Sequence, residues 1–363
     1  MAVTLREARF QDHQAIAALE NSQGLASKPF DEWRRLWAGN PCYEELGTRW
    51  PIGWVLEDGA RIVGCLSNVP LPYIFRGRKL LTATGRGWAV ADQYRSYALL
   101  LMDEYFNQEN VDVFLNNTVN GQAAEAFGAF GSLRVPVGDW NSAAFAITAH
   151  RGFAESALRI KGVPQARLLS YPAGLALSLK DRFTAKPIPK SNIDIVLARD
   201  FDQRFDIFWE VLSERSGALL AVRSRDTLKW HFGPFLEKER LWIFTASRNG
   251  AIDAYAVFQR RDEPRYGLTR MRLVDFQACD RHDQHCAAFM RCAYDECRAQ
   301  GIHVLEQVGC DLEKTRVFEL AAPYRRKLPG WSFFYSARDE DLAGHLALPE
   351  AWAPSSYDGD ASL

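Results

Sequence analysis

The segment Trp88–Leu101, WAVADQYRSYALLL, has the pattern best suited to chemistry. It predicts a buried strand, a short polar turn at 92–96 and then an apolar helix. Where a strand enters a helix through a tight turn, free backbone N–H groups and the helix dipole can hold a phosphate. We therefore expect the N–H groups of Ser96–Leu100, with Arg95 at the turn, to bind a phosphate-bearing ligand. The alternative is a plain strand–helix junction without a ligand.

A second polar group, NNTVNGQAAEAF at 116–127, follows a predicted strand over 111–116. Asn117 and Asn120 stand where the chain leaves that strand and enters the next helix. Asparagine at such a junction commonly serves as a turn residue or helix N-cap. The two side chains fit that role and a ligand contact about equally well.

Asp275 interrupts an apolar strand, between Leu273, Val274 and Phe276. Burial disfavours a charged carboxylate, so its pKa should be raised, which suits a general base. A core aspartate paired with an arginine is the more common explanation of such a pattern.

Cysteine and histidine cluster after that strand, at Cys279, His282, His285 and Cys286. Structural zinc sites use a C-x-x-C type of pair with a second pair elsewhere, and these spacings do not match. We therefore expect no metal site.

The elements that must position these residues occur twice, roughly 190 residues apart, which indicates an internal repeat. Each copy has a strand, a helix, a short tryptophan-bearing helix, a hairpin, a strand–helix pair and a further strand. The strands that open the two copies are at 3–8 and 193–198, and the hairpin turns are Asp58-Gly59 and Asn249-Gly250. Asp-Gly and Asn-Gly between alternating apolar runs favour tight hairpins.

The proline-rich segment 185–192 separates the two copies. We expect an N-terminal domain over 1–184, a C-terminal domain over 193–338 and a tail over 339–363. Trp352 and Tyr357 indicate that the tail packs back on the body.

The chain has 363 residues, with Lys+Arg 44 against Asp+Glu 45. That balance argues against binding to long nucleic acid, which needs a basic excess or patch. No apolar stretch reaches the roughly 20 residues of a membrane span. The N-terminus has the pattern of a strand rather than a signal peptide, and the seven cysteines suggest no disulfide framework, so we expect a cytoplasmic protein.

The order of elements, together with Val90, Tyr94 and Arg95 at the strand end, resembles the GNAT acyl-CoA N-acyltransferases. That family carries an R/Q-x-x-G-x-G/A loop, and here Ala98 and Leu100 replace its two glycines. The chain is also similar to two-domain GNAT proteins of bacterial polysaccharide clusters and more distantly to FemABX transferases. The resemblance implies an α/β (α+β) fold of two tandem GNAT-like domains, each a mixed β-sheet flanked by helices.

The resemblance also implies which residues bind acetyl-CoA or another acyl-CoA as co-substrate, here in the N-terminal half. They are Trp88, Ala89, Val90, Arg95, Ser96, Tyr97, Ala98, Leu99, Leu100, Asn117 and Asn120. The C-terminal half would shape the acceptor site. The family's usual tyrosine acid is replaced near its position by Phe127, which cannot donate a proton.

Three functions follow from these patterns. The leading hypothesis is an N-acyltransferase that moves an acyl group from a CoA thioester to the amine of a small or sugar-like acceptor, with Asp275 and Asp139 as candidate bases. The second is a FemABX-like transferase that uses aminoacyl-tRNA, which the near-neutral charge does not favour. The third is a non-catalytic GNAT-like binding protein. The sequence does not set the oligomeric state, and a two-lobed chain could work as a monomer.

Overall fold

A computed structural model describes residues 3–138, 140–184, 192–309 and 322–363, which form two mixed β-sheets flanked by helices. The first half contributes β1 (Thr4–Glu7), β2 (Gly53–Asp58), β3 (Arg61–Phe75), β4 (Arg78–Val90), β5 (Val113–Val119), β6 (Leu133–Arg134) and β7 (Ser142–Ile147). The second half contributes β8 (Ile195–Ala198), β9 (Leu220–Ala221), β10 (Leu241–Arg248), β11 (Ala251–Arg260), β12 (Arg270–Ala278), β13 (Val304–Val308), β14 (Tyr324–Lys327) and β15 (Ser332–Ala337).

The helices flank these sheets. They are α1 (His13–Ser22), α2 (Phe30–Arg34), α3 (Pro41–Leu46), α4 (Ala98–Phe106), α5 (Gly121–Ala129), α6 (His150–Ile160), α7 (Ala166–Thr184), α8 (Gln203–Arg215), α9 (Arg225–Glu237), α10 (His282–Ala299) and α11 (Glu340–Leu346). The predicted α/β (α+β) fold class, with two mixed sheets and flanking helices, is confirmed. The division into domains at 185–192 lies almost wholly outside the described residues.

The two sheets have the same strand order, and each includes strands from both halves of the chain: β15 and β9 join the first sheet, and β7 joins the second. The first sheet runs β1-β2-β3-β4-β5-β15-β6, with β9 paired to β3, and the second runs β14-β7-β13-β12-β11-β10-β8. In each sheet one central pair is parallel, β4 with β5 and β12 with β13. The equivalent strands β7 and β15 have therefore changed places, which the sequence pattern did not predict.

The largest apolar cluster extends across both halves of the chain. Trp37 and Val69 of the first half share it with Phe205, Phe232 and Trp352 of the second half, and all five are buried. Burial of apolar area is the main favourable contribution to folding. The two halves therefore stabilise each other through this core as well as through the exchanged strands.

The C-terminal segment enters the second sheet where β12 and β13 stop pairing. The Tyr357 N–H donates to the Val274 carbonyl at 3.1 Å, and the Ser356 hydroxyl donates to the Val308 carbonyl. Residues 355–358 thus bridge the diverging ends of the two strands. Trp352 and Tyr357 are both buried.

Among the described residues, no helix has both the length and the apolar character needed to cross a membrane.

Candidate active site

The first sheet opens between its two parallel strands. β4 and β5 pair only at Thr82–Val113 and Ala83–Phe114, and beyond these pairs the strands separate. The separation leaves a cleft of about 760 Å³, which we call the β4–β5 cleft. Its walls come from β4, β5, α1, the start of α4, the start of α5 and the C-terminal segment.

A chain of hydrogen bonds joins the two strands where they diverge. The Asn116 Oδ1 accepts from the Gly85 N–H at 2.9 Å, and its Nδ2 donates to the Tyr105 hydroxyl at 3.0 Å. Tyr105 in turn donates to the Ala83 carbonyl at 2.9 Å. All four groups are withdrawn from solvent, so the bonds fix the opening of the cleft at its base.

Strand β4 carries a β-bulge in the wall of the cleft. Ser67 pairs with Arg86 and Cys65 with Ala89, so Gly87 and Trp88 together face the single residue Leu66. Gly87 has a φ of +65°, and a Cβ there would overlap the Glu20 carboxylate, which only glycine avoids. Beside it, the buried Trp88 Nε1 has no hydrogen-bond partner among the described residues, so its N–H is available to a ligand.

The polar turn after β4 is a 3-10 helix over Asp92–Tyr97 that continues directly into α4. The Tyr94 N–H donates to Ala91 O at 2.8 Å, and the Ala98 N–H is bonded to Arg95 O. We expected the Ala98 N–H among the groups that bind phosphate, and here it is already used inside the turn. The Arg95 guanidinium is exposed and paired with Asp92 at 2.7 Å.

Six of the eleven residues that we expected to bind the acyl-CoA line the β4–β5 cleft. Those in its walls are Trp88, Ala89, Val90, Arg95, Ala98 and Asn120. Ser96, Tyr97, Leu99 and Leu100 lie on the exposed side of the turn and are not in the cleft wall. Their role in binding stays a prediction.

The two asparagines of the 116–127 segment have different surroundings. Asn120 is the N-cap of α5, accepting from the Ala123 N–H at 2.9 Å, and it also borders the cleft. Asn117 is fully buried and holds the C-terminal segment, since its amide bonds Asp358 O and the Asp360 N–H. The structure thus gives Asn117 a partner that sequence reasoning did not consider.

Asp275 lies in a closed ion pair rather than in an open site. Its carboxylate receives Arg223 Nε at 2.9 Å, Arg223 Nη2 at 3.0 Å, the Tyr255 hydroxyl at 2.7 Å and the Ser355 hydroxyl at 2.9 Å. Burial raises the pKa of Asp275, but the Arg223 charge and these hydrogen bonds outweigh it and leave the pKa below the ordinary value. The expected raised pKa is therefore wrong, and the geometry favours the ion-pair explanation. The other candidate base, Asp139, lies outside the described residues.

A carboxylate that sequence reasoning missed, Glu20, does lie in the cleft. It is 3% exposed, it lines the cleft beside the bulge, and burial raises its pKa. Its carboxylate has no hydrogen bond to another described residue. The signal was present in α1, because Glu20 follows Ile16 by four positions and shares its buried face.

Comparisons with known proteins bear on this arrangement. No protein-family model and no curated protein matches the sequence. Solved structures match over nearly the whole chain. A GCN5-related N-acetyltransferase from Anabaena variabilis is 9% identical with a TM-score of 0.56, covering 93% of this chain and 74% of its own. The corresponding protein from Kribbella flavida is 11% identical with a TM-score of 0.58, covering 94% and 72%.

The chain has the GNAT fold. Saccharomyces cerevisiae N-myristoyltransferase, solved with bound myristoyl-CoA, shares it at 12% identity with a TM-score of 0.56, covering 93% of this chain and 79% of that one. Identities this low establish the GNAT fold alone. What the chain does must be argued from its own cleft.

Proposed function

We propose that this protein is an N-acyltransferase that binds an acyl-CoA in the β4–β5 cleft and transfers the acyl group to an amine. The observation that carries the proposal is the cleft itself, an opening of about 760 Å³ between parallel strands, next to a strand–turn–helix. The GNAT-fold neighbours include an N-acetyltransferase and an enzyme solved with bound myristoyl-CoA, which supports a thioester as the co-substrate.

The donor would lie along the free edge of β4. Beyond Ala83 this strand has no parallel neighbour, so backbone groups of Trp88–Val90 can pair with the amides of an extended pantetheine arm. The phosphates would lie toward the turn at 92–97. Because that turn uses part of its own N–H groups, Arg95 and the remaining free N–H groups would supply the contacts.

The reaction would take place beside the bulge. The amine nitrogen attacks the thioester carbonyl carbon, a C–N bond forms, the C–S bond breaks, and CoA leaves as a thiolate that takes up a proton from water. N–H groups near the bulge would stabilise the oxyanion, which is the usual electrostatic device for acyl transfer. Glu20, deprotonated, would accept the proton that the amine loses, and its raised pKa brings it closer to the range of a useful base.

Binding is tested by thermal unfolding with free CoA, acetyl-CoA and longer acyl-CoAs. A ligand at a hundred times its Kd stabilises the folded state by about 2.7 kcal/mol, so a clear rise in Tm is expected. If none of these compounds changes the Tm, the proposal fails. If CoA compounds bind but no amine gives thiol release, the chain is a non-catalytic binding protein.

The role of Glu20 is tested by Glu20→Gln. We expect kcat to fall about 100-fold or more, which is the usual contribution of a general base, while the KM for acyl-CoA changes little. The wild-type kcat/KM should rise with pH through the raised pKa of Glu20, and the variant should lose that limb. Glu44→Gln, on the surface helix α3, is the matched control and should keep wild-type kinetics. An unchanged pH profile in Glu20→Gln would remove Glu20 from the mechanism.

A further inference from the structure

Two arginines from different sheets face the β4–β5 cleft. Arg86 comes from β4, immediately before the bulge, and Arg261 directly follows β11 of the second sheet. Both line the cleft. Lys28, in the loop between α1 and α2, lies close enough to interact with both charges. The cleft therefore has a cationic wall built by both halves of the chain.

Two other cations that are withdrawn from solvent, Arg223 and Arg272, have firm carboxylate partners. Arg223 is bound by Asp275, and Arg272 donates to Glu306 at 2.8 Å. By contrast, the Arg86 guanidinium has no hydrogen bond or ion pair within the part of the chain that the structure describes. The Arg261 guanidinium donates one long hydrogen bond, from Nη2 to the Ser362 carbonyl at 3.3 Å, and lies over the Phe235 ring at 5.6 Å, while its buried Nε has no hydrogen-bond partner among the described residues.

The Glu20 and Asp360 charges act on Arg86 and offset part of the lowering of its pKa, but neither carboxylate accepts a hydrogen bond from its guanidinium among the described residues. Asp360 uses one oxygen to accept from the Asn117 N–H at 3.1 Å and the other to accept from the Thr118 hydroxyl. Glu20 is the remaining carboxylate in the cleft, and it faces the bulge. Burial lowers the pKa of Arg86, it lowers the pKa of Arg261 to about 9, and it lowers the pKa of Lys28 to about 8. A buried donor without a partner destabilises the folded protein, more so if it is charged, and a bound anion would recover that free energy.

We propose that Arg86 and Arg261 bind an oxyanion on the amine acceptor, so that the acceptor class is an amine that also carries a carboxylate or phosphate. This inference rests on the proposed function. An arginine fork matches the paired oxygens of either group. The anion would hold the acceptor with its amine toward Glu20 and the bulge.

The donor's own phosphates, held at the turn, lie too far from Arg86 to be its partners. From Arg86 to the first residue of the turn, Asp92, six residues of extended chain span roughly 20 Å. Phosphates held at the turn therefore lie at the far end of β4 from Arg86. The cationic wall is left for the acceptor.

The test compares acceptors that differ only in the anion, with acetyl-CoA as donor and thiol release as the readout. The first pair is an amino acid and its amide, tested for several amino acids. The second pair is glucosamine 6-phosphate and glucosamine. In one of the two pairs, we expect kcat/KM to be at least about 10-fold higher for the anionic acceptor than for the neutral acceptor. A preference in the amino-acid pair identifies the bound group as a carboxylate, and a preference in the glucosamine pair identifies it as a phosphate. Arg261→Gln and Arg86→Gln should each remove that preference, while the KM for acetyl-CoA stays unchanged. Arg240→Gln, an exposed arginine near Arg261, is the matched control.

Two outcomes would overturn the proposal. One is equal or better turnover of the neutral acceptors by the wild-type protein. The other is a raised KM for acetyl-CoA in the two variants, which would assign the arginines to the donor.

Direct binding separates this proposal from the proposed function. Malonate and inorganic phosphate are titrated by calorimetry into the wild-type protein and both variants without any donor. Binding of one anion that both variants lose supports the arginine site even if acyl-CoA does not bind. No anion binding together with no acceptor preference would show that the arginine site is absent.

Discussion

The two sheets diverge at equivalent places, between β4 and β5 and between β12 and β13, but only the first divergence is open. In the first sheet it forms a cleft of about 760 Å³. In the second, residues 355–358 bridge the strands, and Asp275, Arg223 and Ser355 form a closed network there. The same divergence of parallel strands can thus serve either as an open cleft for a ligand or as a groove in which another segment of the chain packs. Which of the two it becomes depends on whether such a segment fills it.

The largest expected effect comes from breaking the filled site. Asp275→Ala leaves the Arg223 charge buried without its main partner, so we expect a loss of about 3–5 kcal/mol in the free energy of unfolding. Urea unfolding measures it. Arg204→Ala, which breaks an exposed pair with Asp202 but keeps Asp202 as the N-cap of α8, should cost no more than about 1 kcal/mol. A stable Asp275→Ala protein that lacks only activity would instead favour Asp275 as a base.

A large side chain placed at each divergence should have different consequences. Ala98→Trp enters the open cleft, so we expect near-wild-type stability but loss of the CoA-induced stabilisation, about 2.7 kcal/mol at a hundred times Kd. Ala293→Trp enters the packed core under the second sheet and should cost about 1–3 kcal/mol by overpacking. Thermal unfolding with and without CoA separates the two results. Undiminished stabilisation by CoA in Ala98→Trp would place the ligand elsewhere.

Two buried glutamates should give opposite pH dependence of stability. Glu306 is surrounded by Arg272, Arg326 and Arg270; burial opposes its charge, but these arginines lower its pKa to about 2. Its contribution, roughly 2–3 kcal/mol, is present above pH 4.5 and is lost as the pH falls toward 2. Unfolding of Glu306→Gln and wild type from pH 7 to pH 2 should therefore converge in acid. A constant difference across that range would contradict the assignment.

The stability contribution of Glu20 changes with pH in the opposite direction to that of Glu306, because burial raises the pKa of Glu20. The stability it contributes is full below its unfolded-state pKa and is lost as the pH rises through the higher folded-state pKa. Glu20→Gln should therefore be more stable than wild type at pH 7 and converge with it in acid. A lower Tm at pH 7 would show that the charged form is the stabilised one.

The smallest effect is expected at the turn. Arg95 is exposed and its pair with Asp92 is on the surface, so Arg95→Ala should change the free energy of unfolding by less than about 0.5 kcal/mol. If Arg95 contacts the donor phosphates, the KM for acyl-CoA should rise about 3- to 10-fold. An unchanged KM would limit donor binding to the β4 edge.

Local patterns predicted the elements well and their pairing less well. Asp58-Gly59 and Asn249-Gly250 predicted both hairpins, because turn geometry is set by adjacent residues. The exchange of β7 and β15 depends on pairing between residues as distant in sequence as Ala146 and Leu305 or Asn116 and Phe334, for which the sequence carries no local signal. Asp275 shows the same limit, since its apolar neighbours indicated burial but its pKa depends on Arg223, 52 positions away. Glu20 was detectable by its helical spacing from Ile16, but its position beside Gly87 required the fold.

Because β15 belongs to the first sheet, that sheet cannot be completed during synthesis until most of the chain has been made. β5 ends at Val119, but its neighbour β15 begins at Ser332, and β6 joins the first sheet only through β15. At ordinary elongation rates of about 5–20 residues per second, the edge of β5 waits roughly 10–40 s for its partner on the ribosome. During that interval the nascent chain presents an unpaired strand edge, the kind of surface on which chaperones and misassembly compete.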